Sequence, residues 1–122
     1  MEQRKHCSYQ KLLVWQKSME LVTEIYKLTD EYPKNEEFGL KSQSRRAAVS
    51  IPSNIAEGSR RSTDKDFRHF LLTAYGSGAE LETQIEIAKR LQMAGDASFK
   101  KTDILLEETM KMLNKFIQTL TR

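Results

Sequence analysis

Apolar residues recur along this chain at spacings of three and four, in four blocks, and that period belongs to helices. The first block covers residues 13–30. Trp15, Met19, Val22 and Tyr26 make one stripe, and Val14, Leu21, Ile25 and Leu28 make a second beside it. A helix apolar over so wide an arc must meet more than one neighbour. Tyr32-Pro33 closes the block, because the residue before proline avoids the α region.

The second block starts at Asn35, a suitable N-cap, with Glu36 and Glu37 in the favourable first turn. Leu40, Ser44, Ala47, Ala48, Ile51 and Ile55 share one face. Pro52 removes one backbone hydrogen bond inside this pattern and predicts a bend rather than an end. Gly58 is the expected stop.

The third block opens on Thr63-Asp64-Lys65-Asp66, an approximate capping box with Asp66 in place of the usual glutamate. Phe67, Phe70, Leu71, Ala74, Gly78, Leu81, Ile85 and Ala88 follow as the strongest amphipathic stripe of the chain. Gly76 and Gly78 inside it cost about 1 kcal/mol each relative to alanine, which predicts a helix packed closely there. Gly95 is expected to end the block. The fourth starts near Asp96 or Ser98 and carries Leu106, Thr109, Met110, Leu113, Phe116, Ile117 and Leu120.

Short links make sequential helices antiparallel. The predicted fold is therefore all-α: an antiparallel up-down-up-down four-helix bundle. It forms one domain over residues 1–122, with 1–10 expected to be a mobile N-terminal segment.

Composition narrows the picture. No apolar run reaches the length of a membrane span, and residues 1–6 lack the apolar stretch of a signal peptide. Cys7 is the only cysteine, so no internal disulfide can form. A cytoplasmic protein with no membrane partner is expected. The net charge of +3 is mild, but basic residues gather in two stretches. Residues 1–11 carry Arg4, Lys5 and Lys11 against Glu2. Residues 34–61 carry Lys34, Lys41, Arg45, Arg46, Arg60 and Arg61 against Glu36, Glu37 and Glu57. Such local excess either attracts phosphate or forms a solvated surface.

Catalytic chemistry finds little support. His6 and Cys7 have no second ligand pair at metal spacing, and His69 stands alone on the polar side of its helix. No Glu-x-x-His pair appears, which argues against a ferritin-like di-metal site. Gly76-Ser77-Gly78 lies inside a helical pattern, unlike a phosphate loop or a nucleophile elbow. No enzyme activity, cofactor or metal is expected.

Two features remain. Gln43, Arg46, Ser50, Asn54 and Glu57 fall in one narrow sector of the second helix, each within reach of the next. This row is either a solvent-facing stripe or a ladder set against another subunit or a ligand. Lys41 and Arg45 point into the apolar sector of the same helix. Either that end of the bundle opens to solvent, or their stems lie along apolar surface and their charges reach an acidic partner or phosphate. Arg60-Arg61, in the loop after Gly58, is more readily available to phosphate.

These residues carry a family resemblance. Val14-Trp15-Gln16-Lys17, Ile25-Tyr26-Lys27-Leu28-Thr29 and Pro33 with Glu36 resemble the opening of a bacterial four-helix-bundle family. That family is associated with intervening sequences in 23S rRNA genes. The stretch 43–58, QSRRAAVSIPSNIAEG, and the stretch 74–83, AYGSGAELET, are similar to its central and third-helix motifs. Gly78 departs from the leucine that is more usual there. The resemblance covers about residues 9–120. It implies a cytoplasmic bacterial bundle that assembles as a homopentamer and has no known catalysis. A similar fold serves reverse transcriptases of diversity-generating retroelements as a pentameric accessory, an analogy of fold alone.

Two functional readings follow. In the first, the chain is an oligomer that binds RNA or DNA through Arg60 and Arg61, helped by Lys34, Lys41 and Arg45. Against it, no RNA-binding motif is present, and the aromatics fall on core faces rather than among the basic residues. In the second, it is a protein-interaction scaffold without a nucleic-acid role. In both, Trp15, Tyr26, Leu72 and Tyr75 are surplus apolar surface for self-association, beside the polar row.

Overall fold

The computed structural model describes residues 8–121. Among these residues there are four α-helices, two short 3-10 turns and no strand. The helices are α1 (Leu13–Asp30), α2 (Leu40–Ser59), α3 (Asp64–Arg90) and α4 (Asp96–Thr119). The 3-10 turns, Tyr9–Lys11 and Lys34–Glu36, precede α1 and α2.

Contacts between helices run in opposite senses. Gly58 at the end of α2 meets Phe67 and Phe70 at the start of α3, while Ser50 meets Ser77 further along. Lys17 pairs with Glu108, and Glu24 with Lys101, so α1 and α4 are antiparallel neighbours. Lys89 near the end of α3 reaches Asp103 near the start of α4. The result is an up-down-up-down bundle. One bundle end gathers the start of α1, the α2–α3 turn and the end of α4. The other gathers the α1–α2 and α3–α4 links.

The predicted stripes form the core. Leu21, Ile25, Ile51, Ile55, Leu71, Leu81 and Leu113 are fully buried. Of the two stripes on α1, the one through Val14, Leu21, Ile25 and Leu28 is buried, whereas Met19 and Tyr26 of the other are exposed. Of the segment 1–10, Ser8 to Gln10 are held in place. The Ser8 Oγ accepts from the Gln10 N–H, and the Tyr9 ring meets Trp15 with centroids 5.3 Å apart. His6 and Cys7 lie outside the described residues.

Several local expectations are corrected. Asn35 is not the N-cap of α2. It lies in a 3-10 turn, and the helix starts after Gly39, where the Glu36 carboxylate reaches forward to accept from the Leu40 N–H at 3.0 Å. Gly58 does not stop α2, which runs on to Ser59. It is glycine because α3 approaches too closely for a side chain: an added Cβ would lie 2.7 Å from the Phe70 Cβ and 2.9 Å from Phe67. Gly78 is buried, and the Met110 side chain occupies the space its Cβ would need, so this contact is tight. Gly76 is exposed with nothing within 4 Å of an added Cβ, so close packing within the protomer does not explain it.

Gly95 does not end α3 but caps α4. The stop is Gln92, at φ 53°. The Met93 N–H bonds back to Ala88 O and the Gln92 N–H to Lys89 O, a Schellman ending with glutamine in the seat glycine usually takes. Thr63 behaves as predicted, accepting from the Asp66 N–H at 3.1 Å. Pro52 is buried, and α2 continues through it.

Candidate binding surfaces

The five cations expected to share a phosphate surface are split between the two bundle ends. Arg45 and Arg60 are separated by about 22 Å along α2, at 1.5 Å per residue. Lys34, Lys41 and Arg45 belong to the end with the α1–α2 link.

There, Arg45 is fully engaged. Its Nε donates to Thr29 Oγ1 at 2.9 Å, and its Nη2 to Asp30 Oδ1 at 2.9 Å and to the Tyr26 carbonyl at 3.2 Å. Its guanidinium lies 4.2 Å from the centre of the Tyr26 ring. Lys41 sits 3.0 Å from Glu37 and 3.8 Å from Asp30. The Arg45 side chain does lie on an apolar ring and that of Lys41 is largely covered, but the acidic partners belong to the same chain. Lys34 is exposed.

The opposite end is basic. Arg60 and Arg61 stand exposed on the α2–α3 turn. Lys65 and Arg68 follow on the first turns of α3, Lys11 stands before α1, and Lys115 lies near the end of α4. The acids beside them are Glu57, Asp64 and Asp66. Arg61 bonds to Glu57 at 2.9 Å and lies 4.7 Å over the Phe70 ring. Arg60 lies 5.5 Å over the Tyr9 ring. Arg68 donates to Thr121 at 2.9 Å, which ties α3 to the chain beyond α4. The aromatics Tyr9 and Phe70 therefore do lie among basic residues, contrary to the expectation. Periodicity within single helices missed this cluster; the up-down topology, which brings residues 11, 60–68 and 115 to one end, was the signal that could have found it.

The polar row is only partly a ladder. The Asn54 Nδ2 donates to the Ser50 carbonyl at 2.8 Å and to its Oγ at 3.0 Å, and the Ser50 and Ser77 hydroxyls share a 2.8 Å bond. The middle of the row thus leans on α3. Glu57 turns to Arg61. Gln43 and Arg46 are exposed, and Arg46 forms no ion pair among the described residues. Tyr26, Leu72 and Tyr75 expose 41%, 42% and 37% of their surface, while Trp15 is half-buried against Tyr9 and the core. Around Gly76, the outer side of α3 presents Leu72, Thr73, Tyr75, Ala79 and Thr83, all exposed, with the exposed Glu80 among them.

Two titratable groups are perturbed at the far end. The Glu31 carboxylate accepts from the Ser98 hydroxyl and from the Gly95 N–H, capping α4 from the end of α1. These bonds, the one from Ser98 first, hold its pKa below the ordinary carboxylate value. Burial, with the Glu31 charge adding to it, pushes the Tyr32 phenol up to about 12. Among the described residues the Tyr32 hydroxyl has no hydrogen-bond partner. Among the described residues, no three potential ligands gather as a metal would need. His69 is exposed, with its ring 5.9 Å from that of Phe70. No described helix is long and apolar enough to cross a membrane.

The whole bundle has a counterpart among solved structures. A protein of unknown function from the S23 ribosomal protein family of Bacteroides thetaiotaomicron superposes with a TM-score of 0.79 at 25% identity. The match covers 86% of this chain and 98% of that one. No curated protein matches the chain. The family model described as 23S rRNA-intervening sequence protein matches residues 10–115, which takes in α1, α2, α3 and most of α4. On that span, and on the bundle shared with the Bacteroides protein, the chain belongs to the 23S rRNA-intervening sequence protein family.

Proposed function

We propose that this is a non-catalytic, oligomeric binding protein whose basic end contacts the phosphate backbone of RNA or DNA. The observation that carries this reading is the convergence of Lys11, Lys65 and Arg68 on the exposed Arg60-Arg61 turn. No packing need holds the two arginines there. The Arg61–Glu57 pair is a surface contact worth at most about 1 kcal/mol, and among the described residues the Arg60 side chain meets only the Tyr9 ring face. Guanidinium groups suit phosphate because they donate in a planar fork. Lys41 and Arg45, committed to Asp30 and Glu37, have a structural role in this reading.

Contacts to phosphate carry no base information, so binding is expected to be tolerant of sequence and steeply weakened by salt. Self-association belongs to the same proposal. The exposed Tyr26, Leu72 and Tyr75, the unpaired Arg46 and the open Gly76 are surface that further copies would cover, and five copies is the number the family resemblance suggests. A ring of copies would repeat the basic end and add its weak contacts by multivalency. The test is a titration of the purified chain into structured RNA at low and raised salt. Tight low-salt binding that fades with salt supports the proposal.

A second reading, an oligomeric protein scaffold or reverse-transcriptase accessory-like adaptor without nucleic-acid binding, draws on the exposed Leu72 and Tyr75 of the outer face of α3. Absence of RNA and DNA binding at low salt would favour it.

A further inference from the structure

Tyr9 precedes α1 in a 3-10 turn, so it belongs to no helical stripe. Its turn is held from behind. The Leu12 N–H bonds to the Tyr9 carbonyl at 3.0 Å, and the Gln16 side chain to the Gln10 carbonyl at 2.9 Å. The Tyr9 ring rests at 65° against Trp15. Its contact with Arg60, by contrast, is made by a long, exposed side chain 5.5 Å from the ring centre. A half-buried aromatic ring, covered among the described residues by one long, exposed cation and followed two residues on by the exposed Lys11, has the make-up of a stacking site within a phosphate-binding surface.

We infer that Tyr9 is a stacking platform for an unpaired base, so that the basic end prefers single-stranded nucleic acid to a duplex. The inference rests on the phosphate-binding reading above. An exposed cation–π contact is weaker than a base stacked on an aromatic ring. When a base takes the ring face, Arg60 swings to an adjoining phosphate and exchanges its stack for a charge-assisted hydrogen bond. A duplex keeps its bases stacked inside and offers this end only its backbone. Any of the four bases has a face to stack, so sequence tolerance is retained.

Anisotropy titrations of the full chain at low salt, against a labelled oligouridylate and a blunt RNA duplex of equal length, test this. The oligouridylate should bind more tightly, and it should change the emission of Trp15, the only tryptophan and the direct neighbour of Tyr9. Tyr9→Leu should weaken single-strand binding about tenfold and leave duplex binding unchanged. Tyr9→Phe, which keeps the ring, should behave as the native protein. Equal affinities for the two RNAs, unmoved by Tyr9→Leu, would overturn the stacking site while leaving the phosphate surface standing. An equal loss for both RNAs with a lowered melting temperature would assign Tyr9 a structural role and overturn it as well. Binding to neither RNA would overturn both the inference and the reading beneath it.

Discussion

Gly58 and Phe70 approach so closely that a Cβ on the glycine would lie 2.7 Å from the Cβ of the phenylalanine. The obstacle is the root of a side chain, with Phe67 alongside, so it cannot simply swing away. Gly58→Ala should push α2 from α3 and cost about 1–3 kcal/mol. Gly76→Ala, in open space on the outer side of α3, should stabilise the protomer by about 0.5–1 kcal/mol. Urea melts of the two variants check both signs.

Leu81 is fully buried on α3. Leu81→Asp places an unpaired carboxylate in the core and should abolish cooperative unfolding. The measurement is a thermal melt followed by circular dichroism; a cooperative transition at the native temperature would contradict the packing described.

Tyr32 makes the alkaline limb of stability specific. Its folded pKa is raised to about 12 from the ordinary 10, so the neutral phenol is favoured in the fold. The associated stability is present below pH 10 and is lost as pH rises from 10 to 12. Tyr32→Phe should remove that loss. Because the buried hydroxyl has no partner among the described residues, the same change should also raise stability at neutral pH by about 1 kcal/mol. Denaturation midpoints across this range test both effects. Glu31 acts at the acid limb with the opposite sign. Its lowered pKa gives stability that is present above the unfolded carboxylate pKa and lost as pH falls through the folded value. Glu31→Ala should flatten that slope.

The core was legible in the sequence because helical periodicity marks each buried stripe directly. Ser44, Ala47, Ala48, Ile51 and Ile55 can be read off α2 without a structure. The glycines were less legible, since composition does not say whether a glycine turns the chain, ends a helix or admits a neighbour. Gly58 and Gly95 each do something other than end the helix expected. The α3 ending was hidden because Gln92 takes a left-handed conformation that glutamine seldom adopts. The basic end was hidden for another reason. Its residues come from the start of α1, the α2–α3 turn and α4, and only the assembled topology brings them together. Conversely, Arg45 looked available in sequence because its partners, Asp30, Thr29 and Tyr26, lie on a different helix.

Arg46 is exposed without an ion pair among the described residues, beside the Ser50–Asn54 row. If this side of α2 is the self-association surface, Arg46→Ala should lower the oligomer mass in sedimentation and leave the helix content unchanged. The protomer's melting temperature should move by no more than a surface substitution allows, about 0.5 kcal/mol in stability.

Phosphate binding at the basic end is decided by the salt dependence of RNA affinity in the native chain and in the Arg60→Ala, Arg61→Ala double variant. The native chain should bind at low salt, with log affinity falling linearly against log salt concentration. The double variant should bind more weakly and with a shallower slope, while its oligomer mass and melting temperature stay as in the native protein. A native chain that binds no RNA at low salt, or a double variant with the native affinity and slope, would contradict the assignment.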